Sequence, residues 1–250
     1  MSRGRGSLTV VGLGYGGPAR FTEEVRSALQ ASEKLFYLVT DPVAAAYLRR
    51  LQPAAESLHD SYRVGEDGAS AGLEMAERIL AAVRSGWRTC AAFSGHAAVY
   101  CGPAFPALTA AQGEGFPARM LPAVSCLDLL FAELAEDLAG PAGWSIFEAT
   151  DFLLRPRAFE PRVPLLLLQV GVIGLCAYRD GLEPERQGLE LLREVLLRTY
   201  PAHQPAILFE AATLPLWPSK RHRLALSELL EAPVTVASTL CVLPRVGGST

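Results

Sequence analysis

Between Leu58 and Gly68 the chain sets His59, Asp60, Ser61, Tyr62 and Arg63 side by side, in a stretch with no helical or strand period. An imidazole, a carboxylate, a phenol and a guanidinium are the groups that move protons and hold developing charge. Acid–base chemistry is what such a cluster would support, although loops are polar for other reasons too. A second concentration lies at Ser94-Gly95-His96, where the apolar run Cys90 to Phe93 breaks. Gly95 lets the backbone leave a strand and approach a ligand closely. His96 reads there either as a base, a role imidazole groups take near neutral pH, or as a structural hydrogen-bonding group. The third is Gly12-Leu-Gly-Tyr-Gly-Gly17, which spells G-x-G-x-x-G, with Asp41 at the end of the next apolar run.

Elements must carry these groups. Leu8 to Gly14 reads as a buried strand entering a glycine loop, and Lys34 to Val39 as a second strand. Thr22 is placed to cap a helix reaching Ser32, with Glu23 and Glu24 at its positive end. Asp41-Pro42 opens another helix, with Asp as the cap and Pro in its first turn. This weakens the dinucleotide reading of the glycines. In that fingerprint the glycines open the helix directly onto a pyrophosphate, whereas here Pro18 and the Thr22 cap delay it and Asp41 is explained without a ribose. Leu73, Ala76, Leu80 and Val83 mark one helical face ending at Gly86. Cys90 to Phe93 is the organising strand. Pro103 to Gln112 reads as helix and Phe116 to Leu121 as strand. Ser125 with Asp128 then makes a capping box for a helix whose Leu127, Leu130, Phe131, Leu134 and Leu138 face a core.

Alternation of strand and helix over 1–140 predicts an N-terminal α/β domain with a parallel sheet. Gly140-Pro-Ala-Gly143 reads as the boundary. Over 141–250, strands near Ser145, Val163 to Val170, Ala206 to Ala212, Arg221 to Leu226 and Val234 to Leu243 accompany a single long helix, Glu185 to Tyr200, which predicts a mixed sheet. Gln169 stands as the polar residue within an apolar run and needs partners if buried.

Composition narrows the function. Half the 250 residues are hydrophobic, and 23 Lys and Arg stand against 26 Asp and Glu, a net charge of -3. With no basic block beyond Lys220-Arg-His-Arg223, nucleic acid is not the expected partner. Five cysteines without a C-x-x-C pair argue for reduced thiols in a cytoplasmic protein and against a zinc site. The apolar run Val163 to Tyr178 is interrupted by Pro164, Gln169, Gly171 and Gly174, so it reads as a buried strand rather than a membrane span. No Ser-His-Asp order or H-E-x-x-H pattern points to a hydrolase.

Several blocks, in order, resemble the tetrapyrrole (corrin and porphyrin) methylase family, and within it the borosin-type peptide backbone N-methyltransferases. They are Leu8 to Gly14, Phe36 to Pro42, Phe93-Ser-Gly-His96, Ala118 to Ser125, Phe147 to Leu153, Leu168 to Gly171 and Ser238-Thr239. The resemblance implies two α/β domains with S-adenosylmethionine in the cleft between them, in a homodimer. It carries cofactor contacts onto the loop from Ser94, Gly95 and His96 through Val99 to Tyr100. It carries others onto Ser125 and Cys126, onto Gln169, and onto Ala211, Ala212 and Thr213, with Gly12 and Gly14 in the first loop.

Borosin-type enzymes are thought to use tyrosines and an arginine to remove an amide proton. By position Tyr62 matches one tyrosine and His59 falls where another would be, while Gly68 and Gly72 occupy the arginine and a third tyrosine. Tyr62, His59 and Arg63 are thus the expected catalytic groups. The expected acceptor is a separate ribosomal peptide, since the sequence stops at Thr250 without a fused one. A small-molecule acceptor is the alternative, and a scaffold that keeps the fold without turnover a third reading. No metal is expected.

Overall fold

The computed structural model describes residues 5–62, 68–134, 138, 140–155, 158–175, 184–214 and 217–245. By its internal contacts the chain forms two compact units, Met1–Leu129 with Thr213–Trp217, and Leu130–Ala212 with Pro218–Thr250.

In the first unit, β1 (Ser7–Gly12), α1 (Glu23–Ala31), β2 (Lys34–Leu38), α2 (Pro42–Leu51), β3 (Glu56–Ser57), α3 (Gly68–Arg84), β4 (Arg88–Phe93), α4 (Ala104–Gly113) and β5 (Ala118–Leu121) lead into α5 (Cys126–Leu134). The sheet order is β3-β2-β4-β1-β5 and all its pairings are parallel. Successive strand residues belong to opposite cores. Val10, Phe36, Ala91 and Phe93 pack with Met75, Ile79 and Val83 of α3 and Ala107 of α4. Val11, Leu35, Tyr37, Cys90 and Ala92 pack with Val25 and Leu29 of α1 and Leu48 of α2. A parallel sheet covered on both faces needs such continuous apolar strands, which is why these segments read as uninterrupted apolar runs.

Local chemistry sets the helix starts. The Thr22 hydroxyl accepts from the Val25 N–H at 3.2 Å and the Asp41 carboxylate from the Val43 N–H at 2.8 Å. A 3-10 turn at Pro18–Arg20 delays α1, as the proline required. The expected face of α3 needs correction: Leu73 is 61% exposed, while Met75 and Ile79 are fully buried beside Ala76, Leu80 and Val83. The interior stripe lies to one side of the one read from the sequence. In α5, Leu130 and Leu134 are buried but Phe131 is 39% exposed, and Leu138 lies beyond the helix end.

The second unit holds β6 (Ser145–Glu148), α6 (Ala149–Leu154), β7 (Leu165–Leu168), α7 (Arg186–Leu197), β8 (Pro205–Glu210), β9 (Lys220–Ala225) and β10 (Thr239–Val242). Its sheet order is β6-β7-β10-β8-β9. Only the β6–β7 pairing is parallel, so the sheet is mixed. Leu165, Leu167, Leu208, Leu240 and Val242 form its core with Leu189, Leu192 and Leu196 of α7. Among the described residues no helix is long and apolar enough to cross a membrane.

Candidate active site

In the first unit, β1 and β4 are neighbours whose following helices lie on opposite faces of the sheet. At such a switch point the two outgoing loops diverge and leave a crevice beyond the strand ends, where ligands of open α/β sheets bind. Each loop carries a glycine as its second residue. Gly14 and Gly95 exchange backbone hydrogen bonds at 3.0 and 3.2 Å, each with positive φ, 68° and 64°. Gly12 is required for another reason. A Cβ on it would sit 2.3 Å from the Gly95 carbonyl and 2.8 Å from the Ala123 methyl.

Tyr15, inside the glycine loop, seals this junction. A Cβ on Gly95 would come within 2.7 Å of its ring, and its hydroxyl hydrogen-bonds the Cys126 thiol. Burial pushes that thiol up to about 11 despite this bond, so Cys126 stays protonated and is no nucleophile near neutral pH. Ser125, buried, completes the expected capping box: its Oγ accepts from the Asp128 N–H at 3.3 Å, and the Asp128 carboxylate accepts from the Ser125 N–H at 2.6 Å.

An open cleft, about 320 Å³ with the solvent at its mouth counted, lies beside the junction, lined by Leu13 to Gly17, Phe21, Val39 to Asp41, Ala44, Ser94 and Thr213. Thr213 belongs by its contacts to this unit. The cleft's polar lining residues are Tyr15, Thr40, Ser94 and Thr213, with one acidic residue, Asp41. Ser94 Oγ accepts from the Thr40 N–H at 3.1 Å, which ties the end of β4 to the segment after β2.

His96 does not stand free as a base. Its Nδ1 accepts from the Ala98 N–H at 3.0 Å, which closes the turn leading to Val99, and this leaves Nε2 as the protonated ring atom of the neutral tautomer. Tyr100 is exposed and left-handed, with φ 50°.

His59 opens a 3-10 turn, His59–Ser61, and Tyr62 follows it. The carbonyl of Val39 can only accept, so the His59 ring donates from Nε2 at 2.9 Å and Nδ1 remains the atom able to take a proton. Val39 also lines the cavity, so the His59 ring is one hydrogen bond away from a lining residue. Tyr62 packs against the core under α3. Burial, then the neighbouring Cys101, raises its hydroxyl above the ordinary phenol value. It is therefore a proton donor and not a base. Arg63 lies outside the described residues. Gly72 is buried, with a Cβ there meeting the Gly102 carbonyl carbon at 3.4 Å, so helix α3 packs closely on the Gly102 backbone.

In the second unit, Gln169 ends β7 in a left-handed conformation, φ 62°, and Ala211 and Ala212 follow β8 at the same end of the sheet. The Ala212 N–H donates to Ser219 Oγ at 3.0 Å, and that hydroxyl donates to the Glu133 carboxylate at 2.7 Å.

Tyr15, Thr40 and Asp41 were not expected in a site. An aromatic residue between two glycines was the available signal for Tyr15. Thr40 read as a strand end, and Asp41, once the dinucleotide reading was set aside, as a helix cap.

A model of the tetrapyrrole (corrin/porphyrin) methylases matches residues 7–222. The chain is 36% identical over 211 residues to a methyltransferase and ribosomally synthesised cyclic peptide lentinulin A precursor of Lentinula edodes, covering 84% of this chain and 50% of that protein. It is 33% identical over 247 residues to a methyltransferase and type I borosin cyclic peptide precursor of Serendipita vermifera subsp. bescii, covering 96% and 59%. It thus spans little more than half the length of these relatives. The fold is also similar to that of the uroporphyrin-III C-methyltransferase from Thermus thermophilus complexed with S-adenosylhomocysteine. There the TM-score is 0.61 and the identity 18%, over 95% of this chain and 92% of that one.

Proposed function

The chain belongs to the tetrapyrrole (corrin/porphyrin) methylase family, and we propose that it is an S-adenosylmethionine-dependent methyltransferase whose acceptor is a backbone amide of a ribosomal peptide. The observation that carries the peptide is the likeness, at 33% to 36% identity, to proteins named both as methyltransferases and as peptide precursors.

When bound, the cofactor supplies a methyl group on a sulfonium, an electrophile needing no metal. The first-unit cavity suits that group. Its lining offers backbone and hydroxyl oxygens and the Asp41 carboxylate, with no Lys or Arg among the described lining residues to repel a cation. Gly12, Gly14, Ser94, Gly95, His96, Val99, Tyr100, Ser125, Cys126 and Thr213 are the groups we assign to the cofactor here. Gln169, Ala211 and Ala212 are the ones we assign in the second unit.

An amide nitrogen is a poor nucleophile until its proton leaves. His59 takes that proton at Nδ1, since Nε2 is committed to Val39. Tyr62, kept protonated by burial, donates a hydrogen bond to the amide oxygen as negative charge builds on it. The remaining task is to hold the nitrogen in line with the methyl carbon and exclude water. A homodimer in the cytoplasm belongs to the same reading, and sedimentation of the purified chain tests the dimer.

A second reading, a small molecule with a better nucleophile, is favoured by Gly68 and Gly72 standing where the resemblance calls for an arginine and a tyrosine. One experiment separates the two. The protein is incubated with S-adenosylmethionine and a panel of separately supplied peptides and small nucleophiles, and products are fragmented in a mass spectrometer. Increments of one methyl placed on backbone nitrogens establish the peptide. Methyls confined to hydroxyl, amine or carbon centres of small acceptors overturn it.

A further inference from the structure

We propose that Arg78 is the positioning residue for the turn that presents His59 and Tyr62, an inference resting on the proton-handling role given to those two side chains above. Arg78 lies on α3, between the buried Met75 and Ile79. Its Nη1 donates to the Asp60 carboxylate at 2.6 Å and to Ser61 Oγ at 3.0 Å, and its Nη2 donates to the Ser57 carbonyl at 3.2 Å. The Glu56 carboxylate stands 3.8 Å from Nη2. One planar group therefore grips the chain on both sides of His59 and at the residue before Tyr62.

Ser61 is fully buried, so its oxygen needs the partner that Arg78 supplies. The rest of the turn hangs on the same frame. The His59 N–H donates to Ser57 Oγ at 3.3 Å, and the Tyr62 N–H to the His59 carbonyl at 3.2 Å. Tyr62 and Arg78 also share a support, because the Tyr62 ring packs on the core that Met75 and Ile79 build. A lysine, with one nitrogen in place of a fork, cannot hold Ser57, Asp60 and Ser61 together. The role differs from that of Arg84, whose partners Glu77 and Glu114 lie outside the turn and on exposed surface.

The test uses the full chain labelled at the ring Cζ of its seven tyrosines, with Tyr62→Phe assigning the Tyr62 resonance. In wild type that resonance titrates above the ordinary phenol value of 10.0. In Arg78→Met, and less completely in Arg78→Lys, it moves toward the solvent-exposed position and its titration falls back toward 10.0, while the other tyrosine signals keep their places. Asp60→Asn gives a smaller change in the same direction and serves if Arg78→Met does not fold. An unaltered Tyr62 signal and titration in a folded Arg78 variant overturns the inference. Turnover of Tyr62→Phe tests the proton-handling reading separately, so either can fail without the other.

Discussion

The backbones of Gly14 and Gly95 exchange hydrogen bonds at 3.0 and 3.2 Å, so the loops leaving β1 and β4 are pinned to each other where the sheet opens its crevice. The site stands on that junction, and its glycines differ in what they tolerate. Gly12→Ala forces a methyl against the Gly95 carbonyl at 2.3 Å, an overpacking cost of about 3 kcal/mol. Gly95→Ala combines left-handed strain with the Tyr15 ring at 2.7 Å, about 2 kcal/mol. Gly14→Ala meets nothing nearer than 3.6 Å, leaving only the strain, about 1 kcal/mol. Urea unfolding should rank the three in that order, and Gly14→Ala as the least stable would contradict the close approach at Gly12.

Tyr62→Phe keeps the ring in its packing and removes only the hydroxyl. Turnover with the accepted substrate should fall about 100-fold or more, with cofactor affinity by calorimetry unchanged within about twofold. Wild-type turnover would move the proton chemistry elsewhere.

Ser94 Oγ is the acceptor for the Thr40 N–H. Ser94→Ala leaves that amide without its partner, which costs about 1–2 kcal/mol. Thr40→Val removes only the longer 3.4 Å contact between the two hydroxyls and should cost less. Equal losses in the two denaturation midpoints would remove the tie between β4 and the Thr40 segment.

Cys90 lies fully inside β4, and burial pushes its thiol from the ordinary 9.0 up to about 12. The sign follows from which state releases its proton first. Between these values the unfolded chain has lost the proton and the folded one has not, so stability is full below pH 9 and falls as pH rises toward 12. This one group costs about 2 kcal/mol over the first 1.5 pH units above the unfolded value. Cys90→Ala should lose less stability over that interval, measured by denaturant midpoints at each pH. An identical slope in the two proteins would show that the Cys90 thiol is not buried as described.

What could be read from the sequence was whatever chemistry acts over a few residues. Thr22, Asp41 and the Ser125–Asp128 pair cap their helices as read, because a cap needs only side chains near one helix end. The parallel and mixed sheets followed from the order of elements. The buried face of α3 did not follow, because neighbours outside the helix choose between Leu73 and Met75. Arg78 escaped notice for a similar reason, as its partners lie 17 to 21 residues away and only the fold brings them together. Tyr15 looked like one more residue of a glycine loop until its ring was found against Gly95.

The account depends most on a sulfonium nucleoside binding beside the Gly14–Gly95 junction. Titrating the purified chain with S-adenosylmethionine and with S-adenosylhomocysteine in a calorimeter measures this directly. Saturable heat at one ligand per chain is expected for both, weakened about tenfold or more in a folded Gly12→Ala protein, where 1.4 kcal/mol is one such factor. A folded wild-type chain that takes up neither ligand would contradict the account.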